Sequence, residues 1–170
     1  MKFNYVEGKK GDKAEKEEKT EKIEKNTKKG AASEKQAKEE KVYIIPLGGM
    51  EEVGKNMTAF QYKDEIVIVD AGLTFPEDEH LGIDVIIPDF TYLENNKDKI
   101  KSLLLTHGHE DHIGAIPYLF QKLGSTDITI YGGKLTLELA KAKFEKKDAV
   151  IPKMKVVKGR TKLKLSKYFS

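Results

Sequence analysis

Three of the four histidines in this chain fall within six residues of one another, with an aspartate among them: His107, His109, Asp111 and His112 in the stretch THGHEDH. The apolar run KSLLLT precedes this stretch and reads as a buried strand, and an amphipathic segment follows it. In extended backbone alternate side chains point the same way, so His107 and His109 can address one point from the end of a strand. As the chain turns into a helix, Asp111 and His112 come round to a second point beside the first, and Gly108 leaves the backbone free to bend. Imidazole nitrogen with carboxylate oxygen, and no sulfur, suits Zn²⁺, with Mn²⁺ an alternative as oxygen ligands increase. The bland alternative is a helix cap, with Asp111 satisfying free amides. Four donors in six residues at a strand-to-helix junction favour the metal.

Asp70 is the second candidate. It closes EIVIVD, a run too apolar to leave a carboxylate inside without a partner. Two readings stay open: a turn or capping contact ahead of Gly72, or a carboxylate that fixes a ligand imidazole or meets the metal-bound water. His80, flanked by Glu77, Asp78 and Glu79, reads as a surface residue.

The elements that must position these side chains can be placed in order. Order begins at Val42 with the strand VYIIPL, followed by the loop GGMEEVGKN. That loop has no Gly-Lys-Ser/Thr and does not fit the GxGxxG spacing, so it is not a phosphate-binding loop of either kind. Residues 57–62 and 65–70 form a hairpin with Asp64 in its turn, and 71–88 form a long ordered loop marked by Gly72, Pro76, Gly82 and Pro88. A short helix is expected over 89–96 and a strand over 101–106. One helix is expected through HIGAIPYLFQKLG, with Gly124 as its stop. Further strands are expected at 128–131, 153–157 and 161–165, with a helix over 134–147. Interleaved strands and helices argue for an α/β layered domain.

Composition bounds the rest. Of 31 Lys and Arg, 13 lie in residues 1–41, as do 10 of the 28 Asp and Glu, so the +3 net charge belongs to that segment and the remainder is balanced. From Glu7 to Lys41 the sole large aliphatic residue is Ile23, and such a stretch cannot bury enough surface to offset the entropy of ordering. Residues 1–41 therefore read as a disordered Lys/Glu-rich extension and 42–170 as the ordered part. The absence of cysteine excludes a disulfide framework, a thiolate zinc site and a cysteine nucleophile. No apolar run approaches the roughly 20 residues of a membrane helix, and the N-terminus lacks a signal peptide's apolar core, so a soluble, cytoplasmic protein is expected. Between Lys141 and Lys167 there are 11 basic residues against Glu145 and Asp148. Solvated faces explain this excess more simply than contact with RNA phosphates, because aromatic stacking partners there are confined to Phe144, Tyr168 and Phe169.

The HxHxDH pattern of His107, His109, Asp111 and His112, with Asp70 after an apolar strand, resembles the signature of the metallo-β-lactamase superfamily. Within it, IIPLGGMEEVGKN, VDAGLTFPEDEHLGIDVIIPDFTYL and LLLTHGHEDHIGAIPYL are similar to the ribonuclease J family of β-CASP nucleases. The resemblance is strong from about Lys41 to Tyr131 and looser beyond.

It implies an αββα sandwich of which this sequence covers the N-terminal part. It also implies two zinc ions, one on His107 and His109 and the other on Asp111 and His112, with Asp70 as supporting carboxylate. A bridging hydroxide would attack an RNA phosphodiester, giving 5′-to-3′ exonuclease and endonuclease activity, in a homodimer or homotetramer. Members of the family carry a further histidine ligand, a bridging aspartate and an inserted β-CASP domain. No histidine follows His112 here, so this portion alone is expected to be inactive. Two other expectations remain: a different hydrolysis in the same superfamily, on a thioester or lactam, and a non-catalytic RNA-binding or assembly module.

Overall fold

The computed structural model describes residues 40–77, 82–124 and 127–170. The chain divides into two units, Met1–Lys38 and Glu39–Ser170, and all the described residues belong to the second. The charged extension, apart from its last two residues, and His80 lie outside the described residues.

Six strands form one sheet in sequence order: β1 (Val42–Gly48), β2 (Met57–Tyr62), β3 (Glu65–Val69), β4 (Ile100–Leu104), β5 (Thr129–Gly132) and β6 (Met154–Val156). The first three pair antiparallel, and β3, β4, β5 and β6 are parallel. That change of direction follows from the connections. A two-residue turn at Lys63 and Asp64 closes the β2–β3 hairpin, whereas each parallel pair needs a longer crossover. The crossovers contribute α1 (Thr91–Glu94), α2 (Glu110–Ile113), α3 (Ile116–Leu123) and α4 (Lys134–Lys146).

The core lies between the sheet and these helices. Ile66, Ile68, Leu103 and Ile130 from the strands meet Leu93, Ile116, Leu119, Leu137 and Phe144 from the helices, all nearly or wholly removed from solvent. Burying such a side chain stabilises by roughly 1.5–3 kcal/mol. Phe120 and Phe144 join α3 to α4 edge to face, with ring centroids 5.5 Å apart. Val67, alternating with Ile66 and Ile68, points to the opposite face. At the start of β3 the C-terminal segment crosses nearby. Tyr168 donates its backbone N–H to Glu65 Oε2 at 3.1 Å, and its ring meets Tyr62 edge on.

Two sequence expectations need correction. The helix expected through HIGAIPYLFQKLG is broken into α2 and α3 around Gly114 and Ala115. Pro117 accounts for the restart: it sits in the first turn of α3, where its missing N–H costs nothing. A single helix through Gly114 would need the Pro117 N–H for its ladder. The strand expected over 161–165 is absent; that stretch has no regular structure and ends in a turn where Leu165 and Ser166 donate to the Phe169 carbonyl. Its apolar and basic residues alternate, but the parallel sheet already ends at β6.

Candidate metal centre

Strand direction decides where the chemistry-bearing side chains meet. Because β3 and β4 are parallel, their carboxyl ends lie at the same edge of the sheet, the place where open α/β sheets gather ligand-binding loops. Asp70 follows β3, and Thr106 to His109 follow β4. Asp70 donates its backbone N–H to the Leu104 carbonyl at 2.8 Å, which carries the pairing one step past the strand. β2 runs antiparallel to β3, with Thr58 opposite Val69, so Asn56 at the head of β2 reaches the same edge.

At this edge the loop after β3 packs against the start of α2 backbone to backbone. Ala71 donates to the His112 carbonyl at 2.8 Å, Leu73 to the Glu110 carbonyl at 3.1 Å, and Ala115 back to Ala71 at 2.9 Å. Gly72 lies at the closest approach. A β-carbon there would fall 1.6 Å from the Asp111 carbonyl oxygen, so glycine is required by space. At Gly108 a β-carbon would meet only the tip of the Leu139 side chain of α4, at 2.6 Å, which can turn aside.

Asp70 is 5% exposed and adopts φ +59, a left-handed conformation that costs a non-glycine residue about 1 kcal/mol. The conformation aims its carboxylate across to β4. Oδ1 accepts the Thr106 backbone N–H and Oδ2 accepts the Thr106 hydroxyl, both at 2.8 Å. Oδ2 also lies 2.8 Å from Nδ1 of His112. The carboxylate thus reaches Thr106 and His112 rather than the turn ahead of Gly72, whose N–H goes to the Asn56 carbonyl.

These contacts assign protons through the site. A carboxylate only accepts, so His112 carries its proton on Nδ1 and leaves the Nε2 lone pair free. The Thr106 hydroxyl spends its proton on Asp70, so it accepts from Nδ1 of His107 at 3.0 Å. The lone pair of His107 is then also on Nε2. That atom faces Nδ1 of His109 at 3.1 Å, while Nε2 of His112 lies 3.3 Å from Asp111 Oδ2. The rings of His107 and His112 are 4.0 Å apart between centroids.

The structure thus brings Asp70, His107, His109, Asp111 and His112 together. Two residues that sequence reading left without a role, Thr106 and Asn56, belong with them. Thr106 bridges Asp70 to His107, and the Asn56 carboxamide reaches Asp111 and His112. Their signal in the sequence was position alone: one opens THGHEDH, the other closes GGMEEVGKN.

The donors fit a metal on their chemistry and spacing. Tetrahedral coordination with bonds of roughly 2.0–2.1 Å separates ligand atoms by about 3.3 Å, and the pairs His107/His109 and Asp111/His112 stand at 3.1 and 3.3 Å. Among the described residues no three or more His, Asp or Glu side chains converge on one point, so the residues offer two donors at each of two places.

The basic stretch after α3 is engaged within the fold at several points. Lys143 pairs with Glu110, Lys147 lies over the Tyr118 ring at 4.0 Å, and Lys155 lies over Tyr131 at 5.5 Å.

Residues 50–158 match the family model of the metallo-β-lactamase superfamily, and the chain belongs to that superfamily. Its curated relatives narrow the likeness to ribonuclease J. It is 50% identical over 108 residues to ribonuclease J 1 of Streptococcus pyogenes and 49% identical over 111 residues to ribonuclease J 2 of Staphylococcus aureus. These matches take in 64% and 65% of this chain and 19% of each relative, so the chain spans about a fifth of their length. Among solved structures, the short form of human tRNase Z aligns with TM-score 0.44 and 17% identity, over 68% of this chain and 42% of that one. Among the described residues no helix is long and apolar enough to cross a membrane.

Proposed function

We propose that this chain carries the first four ligands of a dinuclear zinc centre in a ribonuclease J-like enzyme that hydrolyses RNA phosphodiesters. His107 and His109 would hold one ion, and Asp111 and His112 the other. The observation that carries this reading is the pair of ligand-atom separations, 3.1 and 3.3 Å, with Asp70 and Thr106 directing both Nε2 lone pairs into the site. Two divalent ions supply a water nucleophile near neutral pH and stabilise charge on the phosphoryl oxygens.

The chain's own residues do the positioning. Asp70 fixes the ring of His112 and, through Thr106, the tautomer of His107. Gly72 lets the loop after β3 close on the backbone of Asp111 and His112 without a side chain between them. Ribonucleases J supply the substrate class in this reading, with exonucleolytic and endonucleolytic cleavage both expected of the whole protein. Further ligands, the assembly of subunits and the phosphate-binding surface belong to the whole protein as well.

The reading is tested with the full-length protein on 5′-monophosphorylated RNA, on a lactam and on a thioester. RNA cleavage that stops on chelation and returns with Zn²⁺ or Mn²⁺ supports it. Turnover of the small substrates with RNA left intact would assign a different reaction to the same ligands. RNA retention indifferent to chelation, with no cleavage, would make the protein a binding module.

A further inference from the structure

The two halves of the site are held by different parts of the chain. His107 is oriented by Thr106, its neighbour in the loop after β4. Asp111 and His112 are held in addition by Asn56, 55 and 56 residues earlier.

The attachment of Asn56 is both main chain and side chain. Its N–H donates to the Asp111 carbonyl at 3.0 Å, and its own carbonyl accepts from Gly72 N–H at 3.0 Å. This places the residue against α2 whatever its side chain. The carboxamide then adds contacts that concern the ligand atoms themselves. Nδ2 donates to the Asp111 carbonyl at 3.1 Å and to Asp111 Oδ2 at 3.1 Å, and lies 3.3 Å from Nε2 of His112. Its two hydrogens therefore serve the backbone oxygen and Oδ2 of Asp111, and a carboxylate oxygen that accepts one hydrogen bond keeps a further lone pair for a cation. That oxygen stands 3.3 Å from Nε2 of His112, so the carboxamide holds the carboxylate turned toward the imidazole. None of the Asn56 hydrogen bonds reaches His107 or His109.

We propose that Asn56 is the positioning residue of the Asp111/His112 half of the site, and that its carboxamide sets the affinity of that half for a divalent cation independently of the His107/His109 half. The inference rests on the metal-centre reading of the same residues. Side chains that orient ligands in this way typically change metal affinity 10–100-fold when removed.

The test is a Co²⁺ titration of the metal-free full-length protein, followed by visible absorption, for the parent and for Asn56→Ala, Asn56→Leu and His107→Ala. The parent takes up two cations, and His107→Ala abolishes one class of binding. Asn56→Ala weakens the other class at least tenfold and leaves the first unchanged. Asn56→Leu does the same; it keeps the side chain's approximate size and the backbone bonds, so the comparison survives if Asn56→Ala does not fold. Equal weakening of both classes in the Asn56→Leu protein would show a general structural role and overturn the proposal, as would unchanged binding in either variant. A parent that binds no Co²⁺, or loses none with His107→Ala, removes the metal-centre reading and this proposal with it. That failure is seen without altering Asn56.

Discussion

Nδ1 of His112 lies 2.8 Å from Oδ2 of Asp70, 42 residues earlier in the chain, and the same carboxylate takes both the backbone N–H and the hydroxyl of Thr106. One buried acid thus ties the end of β3 to the loop after β4 and to the start of α2. It fixes the ring orientation of one histidine directly and the tautomer of a second through a hydroxyl.

Asp70→Asn is expected to keep the shape but present an amide where Thr106 and His112 need acceptors. Metal affinity should fall about 10–100-fold, read by competition with a chromophoric chelator. Asp70→Ala also leaves the Thr106 N–H and hydroxyl without their acceptor. It should destabilise the metal-free fold by about 2 kcal/mol in denaturant unfolding. Unchanged metal affinity in both variants would confine Asp70 to a turn-stabilising role.

Gly72→Ala places a methyl group 1.6 Å from the Asp111 carbonyl oxygen. Backbone must move to relieve this, and the loop after β3 is bonded to α2 on both sides of Gly72. A loss of about 3 kcal/mol is expected, together with loss of tight metal binding. Chemical denaturation of the metal-free protein measures the first effect, and a mild result there would mean that the loop and α2 separate more easily than their bonding indicates.

Glu65 links acidity to the C-terminal segment. Burial pushes its carboxyl up, but hydrogen bonds from Ser166, Tyr168 and Lys167, with the charge of Lys101, outweigh burial and hold it below the usual glutamate range. The lowered value means that folding favours the ionised form. Its contribution is complete above the ordinary glutamate range and is lost as pH falls through the depressed value. The segment around Ser166 to Phe169 should therefore loosen at acid pH before the helical core does. Hydrogen exchange at Tyr168 N–H across pH 3–7, with Glu65→Gln for comparison, checks this (roughly the window of carboxylate titration). Exchange protection that does not change with either would remove Glu65 as the anchor.

Much of this arrangement was legible because the decisive signals are local. EIVIVD and KSLLLT read as strands since their apolar runs are short and bounded by polar residues, and the four side chains crowded into THGHEDH are neighbours in sequence before they are neighbours in space. Less legible were effects that depend on contacts between distant segments. Asn56 is one loop residue among many until antiparallel pairing brings the head of β2 to the end of β3. Thr106 gains its role from Asp70, which only the parallel pairing of β3 with β4 sets beside it. The break between α2 and α3 was within reach of sequence, since Pro117 in a first turn implies a helix that begins near it. Alternation over 161–165 misled for the opposite reason: the pattern suits a strand, but no neighbour pairs with it.

In the mechanism proposed, His107, His109, Asp111 and His112 hold the ions on which RNA hydrolysis depends. Its sharpest test is the cleavage rate of 5′-monophosphorylated RNA by the full-length protein and by His109→Ala, with bound metal counted in the same samples. Two ions and chelator-sensitive cleavage are expected in the parent. His109→Ala should hold fewer ions and cleave at least about a thousandfold more slowly, as expected when an electrostatic element worth roughly 4 kcal/mol is removed. Undiminished cleavage by His109→Ala, or full activity in protein stripped of metal, would contradict this mechanism.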